Sequence, residues 1–145
     1  RLIHELIEAQ AEQRPDDVAV IFEERRLSYG ELNGRANQVA HALRRLGVGP
    51  EVLVAIAAER SVEMVVGLLG ILKAGGAYVP IDPDYPAERI AFMLEDAGAP
   101  VLVSQWPVAS RLPAHRARVL CLDADRVAID KERRRTPACG CRRRT

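Results

Sequence analysis

Aromatic side chains are scarce in this chain, which has two Phe, three Tyr and one Trp among its 145 residues. Aliphatic side chains must therefore build most of any core, while 28% of the residues are charged. This composition is typical of soluble α/β proteins. A chain of this length favours a single domain that buries about 70% of the surface of its unfolded form.

Long apolar runs, a secretory leader and a disulfide framework are also missing. No apolar run reaches the ~20 residues that span a bilayer. An amphipathic helix with acidic residues begins the chain, where a signal peptide would otherwise lie. Three cysteines do not make a disulfide-stapled fold. We therefore expect a cytoplasmic protein, and the lack of an initiating Met predicts that the sequence was cut from a longer one.

The cysteines offer little to a metal ion. Cys139 and Cys141 have a tight spacing for zinc, but no second pair follows them. His115 is a conceivable further ligand, and Cys121 stands apart. The sequence predicts no metal site.

Glycine-rich phosphate loops are absent from the sequence. Neither G-x-G-x-x-G nor G-x-x-x-x-G-K-[ST] occurs. A phosphate loop needs its glycines after a strand and before a helix, so that backbone amides face the anion. Gly75 and Gly76 instead follow a predicted helix, which favours a helix stop.

Positive charge is concentrated at the end of the chain. The net charge is +1, yet residues 1–130 hold 14 basic and 19 acidic residues, whereas residues 131–145 hold seven basic residues and one acidic residue. We expect residues 1–130 to form the folded part, and residues 131–145 to be a disordered basic tail because they lack apolar periodicity. Nucleic-acid binding by this tail is the alternative. A solvated tail is favoured because no aromatic side chains accompany the arginines.

An amino-terminal helix and a hairpin are predicted first. A β-branched run at Val18–Phe22 and the stretch Arg26–Tyr29 predict two strands around a polar turn. Ser28 and Glu31 have the spacing of a capping box, so a second helix is expected to begin there and to end at Gly47. The helix before the hairpin is amphipathic, with apolar residues at Leu2, Ile3, Leu6 and Ile7.

The middle of the chain predicts a strand, a helix and another strand. Residues 52–57 are a continuous apolar run, which is typical of a strand covered on both faces. The helix Ser61–Lys73 is apolar on nearly every side and therefore needs cover on both sides, and Gly67 and Gly70 would let another backbone approach closely. Ala77–Pro80 is expected to be extended. Together the three elements predict a βαβ unit with parallel strands.

The pattern then repeats. A helix is predicted from Pro86 to Gly98, followed by strands at 101–103 and 119–122 with a short helix between them. The fold class predicted is α/β: a partial doubly wound parallel sheet with flanking helices, preceded by a helix and a β-hairpin.

Carboxylates follow two of the predicted strands, at the end where open parallel sheets bind ligands. Turn or cap duty is the commoner use of an acid in such positions, and it is favoured here. Neither Ser28 nor Ser104 has a His near it in sequence to suggest a nucleophile. The sequence therefore predicts no catalytic, cofactor-binding or metal-ligating residue. The carboxylates after these strands are Asp82, Asp84, Asp123 and Asp125.

Two stretches carry a resemblance to a known family. Leu27–Asn33 resembles the first core motif of the amino-acid-activating adenylation domains of nonribosomal peptide synthetases, which belong to the acyl-adenylate-forming enzymes. Leu72–Asp82 resembles the second core motif at every position, and Pro83–Asp96 is similar to its continuation. The likeness covers roughly Leu2–Arg126.

The resemblance implies a parent enzyme, an ATP-dependent ligase of secondary-metabolite synthesis. Such a domain uses ATP and Mg²⁺ to make an aminoacyl-adenylate, and passes the aminoacyl group to the phosphopantetheine thiol of a carrier domain. Condensation domains and the rest of the adenylation domain are the other implied partners. In the family the phosphate loop, the specificity pocket and the catalytic lysine lie downstream, and Lys73 matches only the second motif. We therefore expect an amino-terminal fragment without activity of its own.

Other interpretations remain open. The chain is alternatively a non-catalytic α/β binding or docking module. The arginine-rich stretch after residue 130 departs from the family pattern, and translation of GC-rich DNA in a shifted frame is one hypothesis for it. Because the apolar helix Ser61–Lys73 needs cover that the missing sequence would supply in part, we also expect marginal stability.

Overall fold

The computed structural model describes residues 3–22 and 24–134. Most of the predicted basic tail lies outside these residues. The elements are α1 (Ile3–Gln13), β1 (Val18–Phe22), β2 (Arg25–Ser28), α2 (Tyr29–Arg45), β3 (Leu53–Ala57), α3 (Val62–Lys73), β4 (Ala77–Pro80), α4 (Ala87–Ala97), β5 (Val101–Ser104), α5 (Trp106–Ala109), β6 (Arg118–Cys121) and α6 (Arg126–Asp130).

The predicted fold class is confirmed. Strands β3 to β6 form one sheet in the order β4-β3-β5-β6, and every neighbouring pair is parallel. Strands β1 and β2 form a separate antiparallel hairpin. The chain first moves outward from β3 to β4 and then returns to add β5 and β6 on the other side, which is doubly wound topology.

Alternating residues of β3 divide the interior into two cores. Val54 and Ile56 belong to the larger core with α2 and α3, whereas Ala55 and Ala57 belong to a smaller one with α4. Successive residues of a strand point to opposite faces, so one continuous apolar run serves both layers.

Helix α2 begins at the predicted capping box. The Glu31 amide donates to Ser28 Oγ over 3.1 Å, and the Ser28 amide donates to Glu31 Oε1 over 3.2 Å. The predicted return strand Arg26–Tyr29 is shifted by one residue, because β2 ends at Ser28 and Tyr29 is already the first residue of α2. A cap residue is extended while its successor is helical, so the strand must end at Ser28.

Helix α3 is covered on both sides, as its sequence predicts. A Cβ placed on Gly67 would lie 3.2 Å from Ile56 Cδ1 in the sheet, and one on Gly70 would lie 2.5 Å from Val39 Cγ1 in α2. The two glycines therefore set close packing in opposite directions. The four half-buried apolar side chains of the helix are Met64, Val65, Leu68 and Leu72.

The helix ends where the glycines predict. The Gly75 amide donates to the Leu72 carbonyl over 3.0 Å and the Gly76 amide to the Ile71 carbonyl over 3.1 Å. Gly75 has φ +93°, a conformation that side chains rarely adopt. These bonds satisfy carbonyls at the helix end and turn the chain into β4.

The close contact between α2 and α3 gives a first prediction. Gly70→Ala should lower the free energy of unfolding by roughly 1–3 kcal/mol, because the new methyl group would overlap Val39 and overpacking outweighs the gain in helix propensity. Urea denaturation followed by circular dichroism measures the change.

Two comparisons test the cause. Gly49→Ala is the matched control, since a Cβ there meets nothing within 4 Å, and it should leave stability nearly unchanged. In a Val39→Ala background, Gly70→Ala should cost less than it does alone. An equal cost in both backgrounds would contradict the overlap.

Candidate functional site

The carboxyl ends of β3 and β5 are the position where this topology favours a ligand. These strands are neighbours in the sheet, but the chain leaves them toward opposite edges. Open α/β sheets bind ligands in the crevice that such a switch in direction creates. The candidate site is therefore made by the residues that follow Ala57 and Ser104.

Hydrogen bonds within the protein tie these strand ends together. Ser104 Oγ donates to the Ala57 carbonyl over 2.7 Å, and the Glu59 amide donates to Gln105 Oε1 over 3.2 Å. Ser104 is fully buried, so its hydroxyl holds two strands together and is not presented as a nucleophile. Glu59 also pairs with Arg111 at 3.7 Å, where both side chains are at least half exposed.

An exposed tryptophan follows β5 at this end of the sheet. Trp106 is 60% exposed, and its backbone amide donates to Asp123 Oδ1 over 2.9 Å. Sequence patterns missed Glu59, Gln105 and Trp106 as candidates. Their signal is positional, since each lies just after a strand, but it carries weight only once β3 and β5 are known to be adjacent.

Three of the four carboxylates that follow the strands accept hydrogen bonds from backbone amides. Asp82 Oδ1 accepts from the Asp84 amide over 2.9 Å, and Asp125 Oδ2 accepts from the Cys121 amide over 2.8 Å. Asp123 Oδ1 accepts from Trp106 and from the Ala124 amide. These are turn and cap contacts, the use that sequence analysis favours.

The structure does not bring the two carboxylate pairs together. Asp82 and Asp84 follow β4, whereas Asp123 and Asp125 follow β6, and these strands are the opposite edges of the sheet. Three strand spacings of about 4.8 Å put the pairs roughly 14 Å apart. They cannot act as one acid–base or metal-binding set.

The thiol of Cys121 is buried and is not activated as a nucleophile. Burial raises the pKa of Cys121, and the nearby charges of Asp125 and Asp123 raise it further. A thiol nucleophile needs the opposite shift. Cys139 and Cys141 lie outside the described residues.

The connection that follows β3 is not built as a phosphate loop. The connection from β3 to α3 contains no glycine, and Ser61 Oγ already accepts the Met64 amide over 3.2 Å. Within residues 3–22 and 24–134 there is no group of three or more His, Cys, Asp or Glu side chains that could hold a metal. No helix in that part of the chain is long and apolar enough to cross a membrane.

Lys73, in the stretch Leu72–Asp82, has a structural partner. Its side chain is fully buried and its ammonium forms an ion pair with Glu8 on α1. Burial lowers the pKa of Lys73, while the hydrogen bond and charge of Glu8 act to raise it. Burying a charged ammonium is costly unless a carboxylate faces it.

Comparisons with known proteins agree on one family. The sequence profile described as AMP-binding enzyme matches residues 7–140. A linear gramicidin synthase of Brevibacillus parabrevis is 57% identical over 134 residues, which cover 91% of this chain and 3% of that protein. Tyrocidine synthase 3 of the same organism is 52% identical over 86% of this chain and 2% of its own length. The chain thus spans a small part of the curated relatives that it matches.

Solved structures give the same result. The nonribosomal peptide synthetase FmoA3 in its α-methyl-L-serine-AMP bound form matches with a TM-score of 0.87 and 36% identity, covering 97% of this chain and 16% of that one. The N-terminal subdomain of Klebsiella oxytoca NpsA matches with a TM-score of 0.78 and 27% identity over 94% of this chain and 34% of that one.

The Lys73–Glu8 pair gives a second prediction. Glu8→Gln should destabilise the fold by about 1–3 kcal/mol, because it leaves the Lys73 ammonium buried without a carboxylate, whereas Lys73→Met should stay within about 1 kcal/mol of the parent. Denaturation in urea, followed by circular dichroism, compares the two.

The double variant Glu8→Gln with Lys73→Met should recover most of the loss, since no buried charge remains. Asp17→Asn is the matched control, because the Arg14–Asp17 pair at 3.8 Å is exposed and exposed pairs contribute little. If Lys73→Met cost as much as Glu8→Gln, packing and not charge would explain the effect.

Proposed function

Since this chain belongs to the AMP-binding enzyme family, we propose that it is the amino-terminal part of an adenylation domain in a nonribosomal peptide synthetase. The observation that carries this proposal is the 57% identity to a linear gramicidin synthase along 91% of the chain. The TM-score of 0.87 to the synthetase FmoA3 supports it independently through the fold.

The complete domain would activate an amino acid. Its carboxylate would attack the α-phosphate of ATP and release pyrophosphate, which gives an aminoacyl-adenylate. The thiol of a carrier-domain phosphopantetheine would then displace AMP and take the aminoacyl group as a thioester. The FmoA3 structure contains α-methyl-L-serine-AMP, which is a product of the first step, and this supports the proposed order of the two reactions. We assign Mg²⁺ to the same step because it neutralises the charge of the triphosphate.

The proposed role of this chain within that reaction is structural. Among the described residues, three of the four Asp candidates and both Ser candidates bond to the backbone at turns, a helix cap or strand ends, and Lys73 pairs with Glu8 on α1. The rest of the adenylation domain would supply the contacts to ATP and the amino acid. The carrier and condensation domains of the parent synthetase are the proposed partners. The proposed compartment is the cytoplasm, which supplies ATP.

A domain chimera tests this division of roles. Residues 1–130, which include Glu8 as the partner of Lys73, would replace the matched segment of the linear gramicidin synthase from Brevibacillus parabrevis. Amino-acid-dependent exchange of pyrophosphate into ATP would be measured. We expect the exchange rate to stay within about tenfold of the recipient, with the same preferred amino acid, because scaffold residues do not contact the reacting groups.

The controls separate scaffold from chemistry. The same chimera with Leu43→Asp puts a charge at a fully buried position and should lose both folding and exchange. A folded chimera that prefers a different amino acid, or that has lost exchange, would contradict the scaffold assignment. Exchange catalysed by the 145-residue chain alone would refute the proposal that it is inactive by itself.

A further inference from the structure

Positive charge gathers in one groove of an otherwise acidic body. The groove has a volume of about 560 Å³ and lies between the hairpin, α2 and the carboxyl-terminal end of the described chain. Two carboxylates, Glu31 and Asp130, lie among its arginines. We call it the arginine groove; its arginines are Arg25, Arg26, Arg35, Arg126 and Arg134.

Two arginines of the groove, Arg25 and Arg35, form a cluster with excess positive charge around Glu63. Arg25 and Arg35 both reach the single carboxylate of Glu63, the second of them at 3.7 Å. The side chains of Arg35 and Glu63 are only 13% and 15% exposed. Two guanidinium groups therefore share one carboxylate where water screens them poorly.

The titration of this cluster agrees with its geometry. Burial acts to raise the pKa of Glu63, but hydrogen bonds and the charges of Arg25 and Arg35 outweigh it, and the pKa is lowered. Burial lowers the pKa of Arg35, and the charge of Arg126 lowers it further, against the opposing effect of Glu63. An additional anion near Arg126 would relieve this repulsion.

Two arginines at the rim are available to a partner. The guanidinium of Arg26 has no ion-pair or hydrogen-bond partner in the described part of the chain, and the residue is exposed. Arg126 pairs with Asp130 at 3.0 Å, but both side chains are about half exposed. Such a pair along one helix is weak, so a second carboxylate can engage Arg126.

The layout favours separate carboxylates over one phosphate group. A compact phosphate is bound where several donors converge, commonly the amides at a helix N-terminus. Here the first turn of α2 is closed by the capping box, because the Glu31 amide is bonded to Ser28 Oγ. Arg26 on β2 and Arg126 on α6 lie on different elements. Side chains on one face of an extended peptide recur about every 7 Å and can reach such separated cations.

We propose that the arginine groove binds an acidic segment of polypeptide, whose carboxylates pair with Arg26 and Arg126 while Glu63 holds Arg25 and Arg35 in place. Guanidinium groups suit this role because they form paired hydrogen bonds with carboxylates. The interaction requires no nucleotide and does not depend on the synthetase assignment.

A labelled peptide tests the proposal on the full 145-residue chain. Fluorescence anisotropy would follow the binding of a fluorescein-labelled deca-glutamate peptide at low salt. Arg26→Glu should weaken binding by roughly threefold to tenfold, because it replaces an attraction at the rim with a repulsion. Arg26→Lys keeps the charge but loses the paired hydrogen bonds, so it should weaken binding less than Arg26→Glu does. Binding should also fall as salt is added.

Arg116→Glu is the matched control. It makes the same change of charge at an exposed arginine outside the groove, before the start of β6. Its affinity for the peptide should stay within about twofold of the parent, because Arg116 does not line the arginine groove and so does not pair with a peptide bound there. Circular dichroism would check that each variant is folded. If Arg26→Glu does not fold, Arg126→Gln replaces it in the test and should likewise weaken binding of the peptide.

Two results would overturn the proposal. Equal affinities for the parent, Arg26→Glu and Arg116→Glu would assign binding to the basic residues in 135–145, which do not belong to the groove and which all three proteins share. Displacement of the peptide by an equal concentration of inorganic phosphate, with the same dependence on Arg26, would assign the groove to phosphate.

Discussion

A buried ammonium group that must be paired constrains how this structure is assembled. Lys73 ends α3 beneath the surface, and Glu8 supplies the carboxylate that it needs. None of the described residues of α1 is itself fully buried, although Ile7 packs on the larger core. The position of α1 therefore depends on a charge requirement set 65 residues later, in the stretch that turns α3 into β4.

Local signals made much of the fold predictable. The capping box at Ser28, the glycine stop at Gly75 and the apolar runs of the strands each act within a few residues, and the structure confirms them. Contacts between residues far apart in the chain could not be predicted from the sequence. Nothing local indicated that Lys73 pairs with Glu8. The carboxylates after successive strands gave no sign that β4 and β6 lie on opposite edges of the sheet.

The contrast between local and non-local signals also explains why the sequence indicates the family but not the candidate site. Leu72–Asp82 identifies the family, yet its residues complete a helix, a strand and a turn, with Asp82 bonded to the Asp84 amide. The crevice at β3 and β5 has no sequence motif, because Glu59 and Gln105 meet only through strand order. The motif Leu72–Asp82 therefore marks residues that are needed to pack and turn the chain. Such residues need not lie near a catalytic or ligand-binding site.

The unequal cores have a consequence for the order in which the molecule opens. The face of the sheet toward α2 and α3 buries nineteen of the described apolar residues, whereas the face toward α4 buries eight, among them Ala55 and Ala57. Less apolar area per residue means a smaller hydrophobic gain. We therefore expect α4 to separate from the sheet at a lower free energy than α3, which is packed between the sheet and α2.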